Sequence, residues 1–179
     1  MSTATQAKTS SAPPARAHHP KPVHVGPLDW RRIVEWLSAD GVITATEAQR
    51  TVSRCSAAQS AQHPLVRLGH VAMTRAADHK PLDIEALTEY VAKKAGLDYL
   101  RIDPLRVDVG RVADMMSAPY AERHRVLPVQ VTPTELVVAT SEPFINDWVA
   151  EVERQSRRSV RLVVSNPTEI HRYTAEFYA

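Results

Sequence analysis

The chain has 179 residues, 44% of them hydrophobic and 23% charged, which is typical of a soluble globular protein, and no apolar run approaches the ~20 residues that span a bilayer. Its formal net charge is +2, but residues 1–28 carry three cations and no acid, so residues 29–179 are at −1. That balance argues against a nucleic-acid-binding domain, and the single Cys55 excludes an internal disulfide and favours a cytoplasmic protein.

Residues 1–28 predict a disordered tail. They are rich in alanine, serine, threonine and proline, with prolines at positions 13, 14, 20, 22 and 27. A segment of this composition buries too little apolar surface to offset the entropy of ordering its backbone.

Residues 29–96 predict a helical subdomain made of two helical hairpins. In the first helix, Asp29 is a suitable cap and the apolar side chains recur at helical spacing until Gly41. A capping box, residues 44–47, starts the second helix. The third helix begins at Pro64 and extends to about residue 74, and the fourth lies between Asp83 and Gly96.

Residues 97–179 predict a small sheet subdomain with the element order β-α-β-β-α-β-α. Residues 126–143 (VLPVQVTPTELVVATSEP) are typical of a β-hairpin, because two apolar runs flank a turn that contains proline. Residues 99–102 and 160–164 predict the outer strands, residues 144–157 an amphipathic helix, and Asn166 the cap of the last helix. The predicted fold class is therefore α+β, with the helical hairpins packed on or linked to this sheet.

No residue pattern for catalysis or metal binding is found. The sequence contains no phosphate-binding loop, no nucleophile elbow and no cysteine pair, so we expect no catalytic residues and no metal ligands. The first helix instead carries a candidate partner-binding stripe, formed by Trp30, Ile33, Trp36 and Leu37. An exposed tryptophan beside an apolar helix face is a suitable docking anchor, and the alternative is that both tryptophans are buried in their own domain.

Several short motifs, taken in order, resemble the N-terminal region of type II secretion and type IV pilus assembly ATPases, in particular the general secretory pathway protein E type. They are Arg67-Leu68-Gly69, GLDYLRIDP from residue 96, RVLP from residue 125, LVVA from residue 136 with Pro143, and residues 160–173. The resemblance implies a non-catalytic domain of a longer ATPase whose ATP-binding motifs lie in a separate C-terminal domain. It also implies docking on the cytoplasmic domain of an inner-membrane platform protein, which would place the domain at the membrane without spanning it.

Some relatives in this family, of the MshEN type, bind cyclic di-GMP through a tandem motif, and the resemblance extends to parts of it. The first copy starts at Arg32 and keeps Gly41, and the second keeps Arg67, Leu68 and Gly69. An arginine can stack on guanine or pair with phosphate, and a glycine lets the backbone approach the ligand. The resemblance therefore implies a second hypothesis, a cyclic di-GMP sensor, beside the docking domain.

Overall fold

A computed structural model describes residues 23–179 of the chain. Its first part consists of four helices, α1 (Trp30–Ala39), α2 (Ala45–Ser56), α3 (Pro64–Val71) and α4 (Ile84–Ala95). Each begins at a side chain that accepts a hydrogen bond from a backbone N–H of the first turn, and these caps are Asp29, Thr44, His63 and Asp83. Their apolar faces form one core, whose fully buried members include Ile33, Leu37, Ile43, Leu65, Leu68, Met73, Leu87 and Val91.

The second part is a four-stranded sheet with helices. In chain order its elements are β1 (Asp98–Tyr99), a 3-10 helix (Pro104–Arg106), α5 (Val109–Met115), α6 (Ala118–His124), β2 (Val126–Val131), β3 (Glu135–Thr140), α7 (Val149–Ser156), β4 (Ser159–Val164) and α8 (Pro167–Phe177). The strand order is β1-β4-β3-β2, with β2 antiparallel to β3 and the other pairs parallel. The α+β fold predicted from the sequence is thereby confirmed.

The predicted hairpin is the antiparallel pair of this sheet. Its register shifts between Pro128 and Gln130, which leaves Val129 without a partner on β3. Pro128 has no N–H to donate, so its place on the edge strand β2, beside a bulge, is one of the few that a sheet allows. Each face of the sheet has its own core, one under α5 and α8 and the other under α6 and α7.

Three predicted element bounds were wrong. The third helix ends at Val71 rather than near residue 74, because Ala72 adopts a left-handed conformation with φ of 52°. The first strand has only two residues and ends at Tyr99. The amphipathic helix of residues 144–157 begins only at Val149, after residues 142–145 form a turn closed by the N–H of Ile145 on the carbonyl of Glu142.

The predicted tail ends earlier than residue 28. Residues 1–22 lie outside the described residues, and the prediction of disorder stays a prediction there. Leu28, however, is only 6% exposed and belongs to the core of the helical part. The N–H of Gly26 donates to the carbonyl of Phe144 at 3.1 Å. The composition of residues 23–28 did not indicate this packing, because Phe144 and Glu142, which accept the N–H groups of Gly26 and Leu28, lie more than 110 positions away in the sequence.

Candidate functional site

The predicted docking stripe on α1 faces the interior of the protein. Ile33 and Leu37 have no exposed surface, and Trp36 is 9% exposed. Ile33 and Leu37 therefore stabilise the helical core and are not available to a partner in this structure, which corrects the prediction for these two side chains. The spacing that predicted an apolar face was right, but a helix of this amphipathic pattern turns that face to its own core.

Trp30, the remaining residue of the stripe, lies at the surface between two arginines. It is partly buried, and the guanidinium carbons of Arg31 and Arg67 lie 4.8 Å and 5.3 Å from the centroid of its ring. Both distances are within the range of a cation–π contact. We call Trp30, Arg31 and Arg67 the Trp30 cluster.

Arg67 ties the Trp30 cluster to the end of α2. Its Nη2 group donates to the carbonyl oxygens of Cys55 and Ala58, at the C-terminus of that helix. Arg31 reaches the same place, since its Nη2 group donates to Ser56 Oγ at 3.2 Å. A cation next to the free carbonyls of a helix C-terminus is favourable, so Arg67 has a structural role in addition to the predicted ligand-binding role.

The other residues predicted for nucleotide binding are spread over the helical part. Arg32 is exposed and lies 4.0 Å from Glu35, while Gly41, with φ of +71°, follows the end of α1. The seven residue steps of helix from Arg32 to Ala39, the last residue of α1, alone span roughly 10 Å along the axis. Leu68 is completely buried, and the helix backbone at Gly69 packs directly on Ile84 of α4. The structure thus brings Arg67 next to Trp30 but does not gather the five predicted residues into one site.

Polar contacts join the helical part to the sheet part, and the sequence patterns did not reveal them. The first contact is built on the buried His63, whose Nδ1 accepts the N–H of Leu65. Its Nε2 therefore carries the proton, and it lies 3.1 Å from the carbonyl oxygen of Ser141 and 3.0 Å from the carboxylate of Glu142. The other carboxylate oxygen of Glu142 accepts the N–H of Leu28 at 2.8 Å.

In a second contact the helical part supplies the acceptor, a carboxylate, and the sheet part supplies the donors. Glu85 of α4 accepts one hydrogen bond from the Tyr99 hydroxyl and another, at 2.8 Å, from the side-chain amide of Asn166. Burial, followed by the hydrogen bond to Glu85, raises the pKa of Tyr99, so the hydroxyl stays protonated and donates at neutral pH. We call these two contacts the His63 clasp and the Glu85 clasp.

The described residues offer neither a metal site nor a membrane helix. No group of three or more histidine, cysteine or acidic side chains in residues 23–179 is placed to hold a metal ion. Over the same residues, no helix combines the length and the apolar composition that crossing a bilayer requires.

Comparison with known proteins agrees with the motifs. Residues 95–179 match the model of the MshEN domain. The type IV pilus assembly ATPase TfpB of Acinetobacter baylyi (strain ATCC 33305 / BD413 / ADP1) is 33% identical over 155 residues. That alignment covers 84% of this chain and 26% of the relative, so the chain spans about a quarter of the length of TfpB.

Two solved structures share the fold. A structure of MshE with cyclic di-GMP (cdg) aligns over 82% of this chain and 99% of its own, with a TM-score of 0.57 and 15% identity. The N-terminal domain of XpsE aligns over 87% of this chain and 100% of its own, with a TM-score of 0.50 and 17% identity. Identities this low show a common fold and no more. The family match over residues 95–179 and the 33% identity to TfpB confirm the resemblance inferred from the motifs, with the matched residues making up just under half of the chain.

Proposed function

We propose that this chain is the non-catalytic docking and regulatory domain of a type II secretion or type IV pilus assembly ATPase. The observation that carries the proposal is the 33% identity to a quarter of TfpB, together with the fold of the XpsE N-terminal domain. The sequence itself has no ATP-binding loop. ATP binding and hydrolysis are therefore assigned to a separate motor domain, to which this domain passes conformational change.

The proposed partner is the cytoplasmic domain of an inner-membrane platform protein, which would hold this domain at the cytoplasmic face of the membrane. The surface around Trp30 that remains open to such a partner is cationic, because Arg31 and Arg67 lie against its ring, and Arg32 lies further along α1, where it pairs with Glu35. An aromatic ring flanked by arginines is the composition that binding hot spots favour. We therefore propose an acidic patch on the platform protein as the complementary surface.

A binding experiment with the purified cytoplasmic domain of the platform protein tests this proposal. We expect the double variant Arg31→Glu/Arg32→Glu to weaken binding at least about tenfold, since it reverses two charges on the docking face. The matched control is Arg106→Glu, which reverses one charge on the sheet part at a side chain that is 88% exposed. Absence of binding by the unmodified protein, or equal losses in both variants, would contradict the proposal.

A second candidate function is a cyclic di-GMP sensor. It is supported by the common fold with MshE, which was solved with cyclic di-GMP, and by the Arg67-Leu68-Gly69 motif. Arg67 already stacks beside Trp30, so a guanine base could extend that stack. Because Arg67 also holds the end of α2, ligand binding at this point would stabilise the helical part.

Calorimetric titration with cyclic di-GMP decides between a sensor and a docking domain without a nucleotide. A sensor would bind with measurable heat and lose that heat in Arg67→Gln. The variant Arg32→Gln serves as a comparison, because Arg32 belongs to the predicted first copy of the motif and lies outside the Trp30 cluster. No heat from the unmodified protein at high micromolar nucleotide would rule out the sensor and leave the docking proposal standing.

A further inference from the structure

Residues 23–27 cross the boundary between the helical part and the sheet part as a short strap. The ring of His24 lies edge-on to two aromatic rings, Trp36 of α1 at 5.9 Å and Phe144 after β3 at 5.5 Å. Nε2 of His24 lies 2.7 Å from the carbonyl oxygen of Pro27, which closes the strap on itself. Leu28, buried in the helical core, anchors its C-terminal end.

The strap covers an apolar surface that would otherwise be open. The rings of Trp36 and Phe144 contact each other at 5.8 Å, and His24 lies against both. Trp36 remains 9% exposed in the presence of the strap. Trp36 is the side chain that the sequence predicted as a docking anchor, and its burial depends in part on a segment outside the four helices.

Few interactions hold the strap in place. The contacts that attach it to the sheet part are the hydrogen bond from the Gly26 N–H to Phe144 and the ring contact of His24. Val23 and Val25 are 53% and 76% exposed and add little packing. Gly26 adopts φ of +101°, a conformation that other residues rarely accept, so the path of the strap depends on this glycine.

We infer that residues 23–27 are an autoinhibitory strap over a docking surface formed by Trp36 and Phe144. When the strap detaches at Leu28, this surface opens beside the cationic face of α1 and makes an apolar anchor available to the platform protein. The identity of that partner rests on the proposed function, whereas the strap is a property of the isolated chain.

Hydrogen exchange of the unmodified protein and of Gly26→Ala, read by mass spectrometry, tests the strap without any partner. A Cβ at Gly26 meets no atom within 4 Å, so the substitution acts only through backbone strain. We expect the hydrogen-bonded amides of residues 26 and 28 to exchange slowly in the unmodified protein and at least about tenfold faster in Gly26→Ala. Quenching of tryptophan fluorescence by acrylamide should increase in parallel, because Trp36 becomes accessible.

Two further variants make the result specific. His24→Ala removes the ring that covers Trp36 and should reproduce the increased quenching, while Val25→Ala changes a side chain that is 76% exposed and should leave both measurements unchanged. Exchange in α4 should be the same in all variants, which separates strap opening from unfolding. Unprotected amides at residues 26 and 28 of the unmodified protein would overturn the inference, and so would quenching that is unaffected by Gly26→Ala and His24→Ala. Neither result depends on whether the platform protein binds.

Discussion

Asp40 shows how a single exposed carboxylate joins two helices. It is the C-terminal cap of α1, and its Oδ2 atom accepts hydrogen bonds from two residues of α4, Lys94 at 2.7 Å and Tyr90 at 2.6 Å. The hydrogen bond from Lys94, followed by that from Tyr90, holds the pKa of Asp40 below its ordinary value. Burial, followed by the hydrogen bond to Asp40, raises the pKa of Tyr90.

These shifts predict a pH-dependent contribution to stability that Asp40→Asn should remove. Because the pKa of Asp40 is lowered in the folded state, its contribution is present above the ordinary pKa of 3.8 and lost as the pH falls through the folded value. The raised pKa of Tyr90 has the opposite sign, so its contribution is present below its ordinary pKa of 10.0 and lost at higher pH. Thermal unfolding should therefore show Asp40→Asn to be less stable than the unmodified protein at pH 7.

The same comparison at acid pH gives the decisive result. The difference in Tm between Asp40→Asn and the unmodified protein should shrink once Asp40 is protonated. Asp114→Asn, at an exposed position of α5, is the control and should change Tm little at either pH. A difference that stays constant from pH 7 to pH 2 would mean that the lost hydrogen bonds, and not the charge, account for the effect.

At the scale of elements, the close approach of α3 to α4 depends on Gly69. A Cβ at this position would lie 3.2 Å from Cβ and 3.3 Å from the backbone nitrogen of Ile84, which is tighter than an ordinary contact. The first residue of α4 is therefore packed against the backbone of α3, and there is no room for a methyl group unless one helix shifts. The packing of α3 on α4 therefore accounts for Gly69 of the motif without any ligand.

Gly69→Ala should consequently destabilise the protein, although alanine has the higher helix propensity. The overpacking penalty of about 1–3 kcal/mol exceeds the propensity gain of about 0.5–1 kcal/mol, so we expect a net loss of about 1 kcal/mol in the free energy of unfolding. Gly110→Ala in α5 is the matched control, because its Cβ would meet only Asp108 Oδ1 at 3.8 Å. Urea unfolding of both variants measures the difference, and a stabilised Gly69→Ala would show that the helices separate at little cost.

Elements that depend on local chemistry were predicted from the sequence, and contacts between distant segments were not. The caps Asp29, Thr44 and Asp83 act over two or three residues, so their sequence patterns were sufficient to locate the helix starts. Glu142, by contrast, meets Leu28 across 114 positions, and nothing in either neighbourhood indicates the other. For the same reason the sequence predicted the apolar face of α1 but not the segments that pack over this face, one of which is the strap.

The helical part and the sheet part have separate apolar cores and meet through polar contacts in addition to the ring contact of Trp36 with Phe144. The His63 clasp places a buried histidine of the helical part on the end of β3, and the Glu85 clasp receives hydrogen bonds from β1 and from the cap of α8. A buried hydrogen bond to a charged group costs about 1–3 kcal/mol when one partner is removed. The free energy that the two clasps contribute together is therefore a substantial share of the 5–15 kcal/mol that stabilises a typical domain.

This arrangement predicts that the clasps make unfolding cooperative. In the unmodified protein the two cores should unfold in one transition, because separating them breaks the hydrogen bonds of both clasps. In the double variant His63→Ala/Glu85→Ala each core loses its link to the other, and we expect two transitions in differential scanning calorimetry. Exchange of the α2 amides should then report one transition and exchange of the β3 amides the other.

The control, Arg50→Ala/Arg172→Ala, removes one exposed ion pair from each part and should keep a single transition, since surface pairs contribute little. A single transition in both double variants would mean that the connection from α4 to β1 or the contact of Trp36 with Phe144, rather than the clasps, carries the coupling between the two parts.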